Sequence, residues 1–191
     1  MSERFDLGIL QNRLLHGAPS NLQPDLPIAS VAVIINAEDR GGSVLLIKRT
    51  ERGGDPWSGQ IGFPGGHRSL ADSSFLHTAL RESDEEVGIE LSERELLGSL
   101  PFVTTRSRRV QVAPFVFQLN SSVPVRMNRE VAESFWVPLN ELARLEIERR
   151  EVAVEEGKLE VDCYDYGGRV IWGLTFRILN ILLGRRAGDE L

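Results

Sequence analysis

The stretch from Gly65 to Ile89, GGHRSLADSSFLHTALRESDEEVGI, constrains the fold more than any other part of this 191-residue chain. Asp72, Ser73 and Ser74 supply N-cap candidates and Gly88 stands where a C-cap glycine belongs, so the spacing predicts a helix over 74–87. On it Leu76, Ala79, Leu80, Ser83 and Val87 share a face that needs a sheet to pack against. Ser83 is small enough to let the helix lie close to that sheet, and the Ala79 carbonyl is the expected acceptor for its hydroxyl. Glu82, Glu85 and Glu86 stand at i, i+3 and i+4 along another edge. Carboxylates this close repel by roughly a few tenths of a kcal/mol per exposed pair. Their place near the helix C-terminus is also unfavourable, because the macrodipole is negative there. Folding gains nothing from the cluster. It reads either as a solvated acidic face with Arg81 paired to Glu85, or as a seat for a hard divalent cation. Such a cation prefers oxygen ligands and bridges carboxylates to phosphates. The Gly-rich turn Phe63-Pro64-Gly65-Gly66 favours the second reading, since such a loop can approach a phosphate closely.

Around this stretch the pattern is mixed. Residues 5–14 read as a short amphipathic helix, and 28–35 and 43–49 as strands joined by a turn at 39–42. Residues 53–66 read as a shaped loop with at most a short strand at 60–63. Further strands are expected at 96–105, 110–119, 133–137 and 158–166. A short helix is expected at 139–144, and a C-terminal helix at 172–185 with Leu174, Ile178, Ile181 and Leu182 inward. The class is α/β, with residues 1–191 read as a single domain flanked by helical segments at 1–27 and 172–191.

Composition narrows the function. Lys and Arg number 22 against 28 Asp and Glu, a net charge of −6, so a general nucleic-acid coat is excluded and an anionic ligand needs a local basic patch or a cation. The candidate patches are Lys48, Arg49 and Arg52, and Arg106, Arg108 and Arg109. A lone cysteine, Cys163, excludes an internal disulfide and a multi-cysteine zinc site, and reads as a buried small hydrophobe. Residues 1–10 lack the pattern of a signal peptide, and no apolar run approaches the ~20 residues that span a bilayer. A cytoplasmic protein with no membrane or nucleic-acid partner is expected, as monomer or homodimer.

Arg81-Glu82-Ser83-Asp84-Glu85-Glu86-Val87-Gly88-Ile89 resembles the Nudix box, G-x5-E-x7-R-E-U-x-E-E-x-G-U with U apolar, here spanning about residues 65–89. Asp72 stands at the first acidic position, the gap to Arg81 is one residue longer than usual, and Ser83 replaces an apolar residue. The longer gap is similar to that of the coenzyme A diphosphatase branch. That branch carries an upstream signature close to Leu45-Leu46-Ile47-Lys48-Arg49-Thr50 followed by Gly59-Gln60-Ile61-Gly62-Phe63-Pro64-Gly65-Gly66. Residues 110–116 and 171–175 also look like the branch.

The resemblance implies an α/β/α sandwich around a mixed sheet and metal-assisted attack of water on a diphosphate, using Mg2+ or Mn2+. The implied substrate is coenzyme A or a derivative, cut to 3',5'-ADP and 4'-phosphopantetheine. Another nucleoside diphosphate derivative, such as ADP-ribose or a dinucleotide, is the alternative. A non-catalytic nucleotide-sensing module is a third reading, against which stand all three box carboxylates. On this reading Glu82 and Glu86 are the principal metal ligands, and Glu85 is a further ligand or a base. Arg81 orients the carboxylates, and the Gly66 carbonyl is an additional oxygen donor. Glu130 and Glu133 are candidates for a base from a distant loop. Gly65, His67 and the two basic clusters are the candidate substrate contacts.

Overall fold

The computed structural model describes residues 7–17, 19, 26–38, 41–55, 57–105, 110–154 and 157–185. In chain order the elements are α1 (Leu7–Gln11), β1 (Ile28–Asn36), β2 (Ser43–Arg49), β3 (Ile61–Gly62), β4 (Gly65–His67), α2 (Phe75–Val87), β5 (Leu96–Ser99), β6 (Val103–Thr104) and β7 (Gln111–Leu119). There follow β8 (Val131–Pro138), α3 (Leu139–Leu142), β9 (Glu148–Val154), β10 (Gly157–Tyr166), β11 (Arg169–Trp172) and α4 (Gly173–Leu183).

Nine-residue runs of Val, Ile, Ala and Phe in β1 and β7 suit strands covered on both faces, and these two pair in parallel from Ile28–Gln111 to Asn36–Leu119. The other pairings are antiparallel, giving a mixed sheet with the path β3-β2-β1-β7-β5. Alternation along β1 sends Val31, Val33 and Ile35 into a core with Ile178, Leu179 and Leu182 of α4. Ala32 and Ile34 face the opposite way, into a core with Ala79 and Val87 of α2. The result is an α/β/α sandwich, and full burial of one side chain such as Val87 contributes ~1.5–3 kcal/mol. A separate sheet, β11-β10-β9, closes against α4. There the buried Tyr164 hydroxyl donates to Asn180 Oδ1 at 2.8 Å and accepts from Arg185 at 2.8 Å.

One irregularity positions the site. β1 and β2 pair only at Ile35–Val44 and Asn36–Ser43 and then part. Beyond that point β4 takes the edge of β1, with Ser30 opposite Gly66 and Val31 opposite Gly65, while β3 takes β2. The Gly-rich loop is thereby laid on the central sheet beneath α2.

Several expectations change. Among the described residues α1 covers Leu7–Gln11 and stops short of residue 14, although Leu10 and Leu14 are buried as the pattern required. The strand expected at 96–105 is two, β5 and β6. Pro101 interrupts it and Pro114 stands opposite the gap, so neither residue has an N–H for the ladder. β4, β9 and β11 were not foreseen. The strand at 133–137 runs over Val131–Pro138, and of the inward residues proposed for α4, Leu174 and Ile181 are only half-buried. The turn at 39–40 and the basic residues Arg106, Arg108 and Arg109 lie outside the described residues. Among the described residues no helix is long and apolar enough to cross a membrane.

Candidate active site

α2 begins and ends as its sequence requires. Ser74 caps it by accepting from the His77 amide at 3.1 Å, and Gly88 closes it with φ +65°. Asp72 is not the cap. It is buried, 3% exposed, and takes both Arg81 Nε and Nη2 at 3.0 Å while also accepting from Thr78 Oγ1 at 3.0 Å. This fork holds the Asp72 carboxyl far below the usual carboxylate range. Arg81 then reaches Glu82 at 2.8 Å and Glu85 at 2.9 Å, so one guanidinium serves three acids.

The two glycines of β4 have different tasks. A Cβ on Gly65 would lie 2.7 Å from Val31 Cγ1 and 2.8 Å from Val31 Cα, so only glycine lets the loop lie on β1. A Cβ on Gly66 would instead lie 2.6 Å from the carboxyl carbon of Glu82, so this glycine leaves room for that carboxylate. The Gly65 amide donates to Glu86 Oε2 at 2.9 Å. The loop therefore touches both glutamates that stand one turn apart on α2.

Glu86 is 2% exposed, and burial pushes its carboxyl up to about 7. The Gly65 amide and Arg49 oppose that rise, and the charges of Glu82 and Glu130 add to it. Glu82 is also raised, by burial and against the pull of Arg81. Two desolvated carboxylates on one edge, Glu86 raised further by the charge of Glu82 and Glu82 by those of Glu85 and Asp72, are a conflict that a divalent cation removes. Glu85 is exposed and turned to Arg81, and among the described residues no three His, Cys, Asp or Glu side chains converge as a ready metal cluster.

The basic residues of β2 diverge. Arg49 shares the α2 face, giving Nη1 to Glu86 at 3.4 Å and Nη2 to Asp55 at 3.1 Å. Burial pushes Asp55 up, but the Trp57 amide and Arg49 together outweigh it and hold the carboxyl low. Lys48 alternates to the opposite face, near Glu51 at 3.8 Å. Arg52 reaches Glu130 at 3.5 Å and the Arg129 carbonyl at 3.1 Å. His67 is exposed and its ring lies 5.9 Å from that of Trp57.

The two distant glutamates separate in the same way. Glu130 belongs to a turn tied to α2, where the Asn128 amide donates to the Glu86 carbonyl at 3.0 Å. Glu133 pairs in register with Lys48, on the face away from α2, and is bound by Arg169. It is not placed to serve as a base at the α2 edge. Asp55 and Arg169 escaped sequence reading because only the folded loops bring them to Arg49 and Glu133. The pair Asp55-Pro56 beside Trp57 signals a turn but not a partner.

Two predictions arise from this geometry. Gly65→Ala should cost ~1–3 kcal/mol by overpacking against β1, while Gly66→Ala, which displaces only the end of the Glu82 side chain, should leave the melting temperature nearly unchanged and lower turnover. Thermal melts and rates on both variants check this. Ser83 is fully buried, and its hydroxyl donates to the Ile89 carbonyl at 2.9 Å rather than to Ala79. The bond fastens the chain after Gly88 instead of closing within the helix. Ser83→Ala should cost about 1 kcal/mol with near-normal rate. Ser83→Leu should cost ~1–3 kcal/mol and also slow turnover, since about 1 Å of ligand misplacement costs about a hundred-fold.

Comparison with known proteins places this arrangement. The family model described as NUDIX domain matches residues 26–156. The chain belongs to the Nudix family. The Nudix hydrolase NudL of Pectobacterium atrosepticum, described as uncharacterized, is 33% identical over 171 residues, covering 86% of each chain. The NudL of Yersinia enterocolitica is 35% identical over 154 residues, covering 79% of this chain and 78% of the relative. The Nudix fold is shared with the MutT protein of Methanosarcina mazei at 27% identity and TM-score 0.50, over 66% of this chain and 86% of that one. A MutT/nudix family protein of Enterococcus faecalis shares the fold at 18% identity and TM-score 0.58, over 85% of this chain but only 62% of its own length. Membership places the chain among the Nudix pyrophosphohydrolases, with the acidic edge of α2 and the Gly65–Gly66 loop inside the matched span.

Proposed function

We propose that this chain is a coenzyme A diphosphatase, acting as one Nudix unit over residues 1–191 and cutting coenzyme A or its derivatives to 3',5'-ADP and 4'-phosphopantetheine. The observation that carries the chemistry is the seating of Glu86, buried and held by the Gly65 amide, beside Glu82, whose carboxylate fills the space at Gly66. The substrate assignment is supported by the sequence from Leu45 to Gly66, which resembles the upstream signature of the coenzyme A branch with departures at Ile47, Thr50 and Trp57.

The donor set fits a hard divalent cation such as Mg2+ or Mn2+: carboxylate oxygens that burial and neighbouring carboxylates raise. Glu82 and Glu86 would hold it, with Glu85 and the Gly66 carbonyl as further oxygen donors. Such an ion supplies neutralisation of the charge that builds on the diphosphate. Arg81 fixes the rotamers of Glu82 and Glu85, and Asp72 fixes Arg81. Arg49 holds Glu86 from the other side and is a proposed phosphate contact. Lys48, Arg52 and His67, with Arg106, Arg108 and Arg109, are the remaining proposed substrate contacts. Glu130 is the proposed base, since it lies on the turn fastened to α2 and its charge is felt at Glu86.

The test is kcat/KM with Mg2+ or Mn2+ across coenzyme A, its 3'-dephospho form, ADP-ribose, NADH, diadenosine polyphosphates and nucleoside triphosphates. Coenzyme A should lead. The 3'-dephospho form should fall roughly ten- to hundred-fold behind it, as expected for a charge-assisted contact of ~1.5–3 kcal/mol. A panel led by ADP-ribose would reject the substrate assignment.

A further inference from the structure

A cavity of about 550 Å³ opens where the β2–β3 edge meets the β9–β11 sheet. That is the size of a small-molecule site, ~300–1,000 Å³. Its wall runs from Lys48 and Asp55 across Ile61 to Glu133, Arg169 and Trp172. The cavity is joined to the α2 edge through one side chain, since Asp55 in its wall binds the same Arg49 that binds Glu86. Much of the far wall, Arg169, Val170 and Trp172, comes from beyond the span matched by the family model, which ends at residue 156. This part of the chain is therefore a place for specificity rather than for the common chemistry.

The charges of the wall cancel. Arg169 is bound to Glu133 and lies 4.6 Å above the Phe135 ring. Asp55 is bound to Arg49, and Lys48 has Glu51 at 3.8 Å. Between these pairs lie Ile61, Val154, Val170 and Trp172, with Ser58 adding a hydroxyl. A phosphate entering here would meet the carboxylates of Asp55 and Glu133, and of the two cations in the wall Arg169 is already bound to Glu133 while Lys48 is turned toward Glu51 at the rim. An uncharged chain of methylenes and amides meets no such cost. Its methylenes would lie on the apolar wall and its amides would find polar groups.

We propose that this cavity binds the uncharged, elongated, amide-bearing arm attached to the diphosphate, and not the phosphate-bearing nucleoside end. The assignment rests on the diphosphatase reading, and it places the 3'-phosphate away from Lys48. Ala153 lines the cavity from the exposed side of β9, so Ala153→Trp fills the space without touching the core.

The experiment uses the full chain and two probes. Pantetheine, the arm without any phosphate, is titrated by calorimetry or NMR, and 3',5'-ADP and 4'-phosphopantetheine are compared as product inhibitors. Wild type should bind pantetheine saturably, and Ala153→Trp should weaken that binding by at least about ten-fold. The same variant should raise the KM for coenzyme A and the inhibition constant of 4'-phosphopantetheine by about ten-fold, with kcat and 3',5'-ADP inhibition unchanged. Val170→Phe, a smaller filling from β11, should act in the same direction, and a thermal melt confirms that each variant is folded. Failure of wild type to bind pantetheine, or folded variants that bind it equally well, overturns the proposal. So does loss of 3',5'-ADP inhibition instead. Pantetheine binding needs no hydrolysis. A chain that binds pantetheine in the cavity but leaves coenzyme A intact therefore keeps this assignment and rejects the diphosphatase reading.

Discussion

Glu86→Gln should lower turnover by roughly 10²–10³-fold at saturating Mg2+ while leaving the protein folded. The amide keeps the shape of the side chain and an oxygen for the Gly65 N–H, but it removes the charge that a cation needs. It also gives up the pairing with Arg49 at 3.4 Å. In the metal-free protein the stability effect depends on pH. The Glu86 carboxyl is raised from 4.5 to about 7, so the folded state favours its protonated form. The penalty for ionising it in the fold therefore grows as pH rises above 4.5 and is complete above about 7. Glu86→Gln without metal should accordingly match or exceed wild type in melting temperature at pH 8. Near wild-type turnover in this variant would remove Glu86 from the proposed metal site.

Asp72→Asn should produce the largest loss of stability among the polar substitutions. Asp72 is 3% exposed and carries four hydrogen bonds, from Ser69, Thr78 and the Arg81 fork. Breaking a fully buried pair costs ~3–5 kcal/mol, but the Arg81 side chain is 26% exposed and water compensates part of the loss. About 2–3 kcal/mol remains, or a fall in melting temperature of roughly 5–10 °C for a chain of this size. The pH dependence follows from the depressed Asp72 carboxyl. Its contribution is complete above the ordinary value of 3.8 and is lost as pH falls below that value toward the folded one. Wild type and Asp72→Asn should therefore converge in stability as the pH is lowered from 5 toward 2. A constant gap across that range would show that the ion pair is not what Asp72 contributes. Turnover should fall as well, because an unanchored Arg81 no longer fixes Glu82 and Glu85.

How far the sequence could be read depended on whether the relevant forces were local. α2 was legible to its ends because its cap, its closing glycine and its apolar stripe all lie within one short stretch. β1, β2 and β7 were legible because buried strands are runs of apolar residues. β9 was not, because Glu148–Val154 is charged and largely exposed and is held by pairing with β10 rather than by burial. The break between β5 and β6 comes from Pro101 within the stretch together with Pro114 of another strand, and the second half of that pairing is invisible until the strands are laid side by side. At the site, the crowding of Glu82, Glu85 and Glu86 was visible as a pattern. The partnership of Asp72 with Arg81 was hidden behind the similar look of an N-cap. Glu133 looked equivalent to Glu130 until register with Lys48 put it on the other face of the sheet. The hydroxyl of Ser83 turned to Ile89 because the Gly88 cap folds the following carbonyl back toward the helix.

The measurement closest to the central claim is the identity of the products. Purified protein and Glu86→Gln are incubated in parallel with coenzyme A and Mg2+, and the mixtures are resolved by mass spectrometry and 31P NMR. The account predicts equimolar 3',5'-ADP and 4'-phosphopantetheine from wild type and almost none from the variant. Intact coenzyme A in the wild-type reaction, under conditions where the protein cleaves ADP-ribose or another diphosphate, would contradict it.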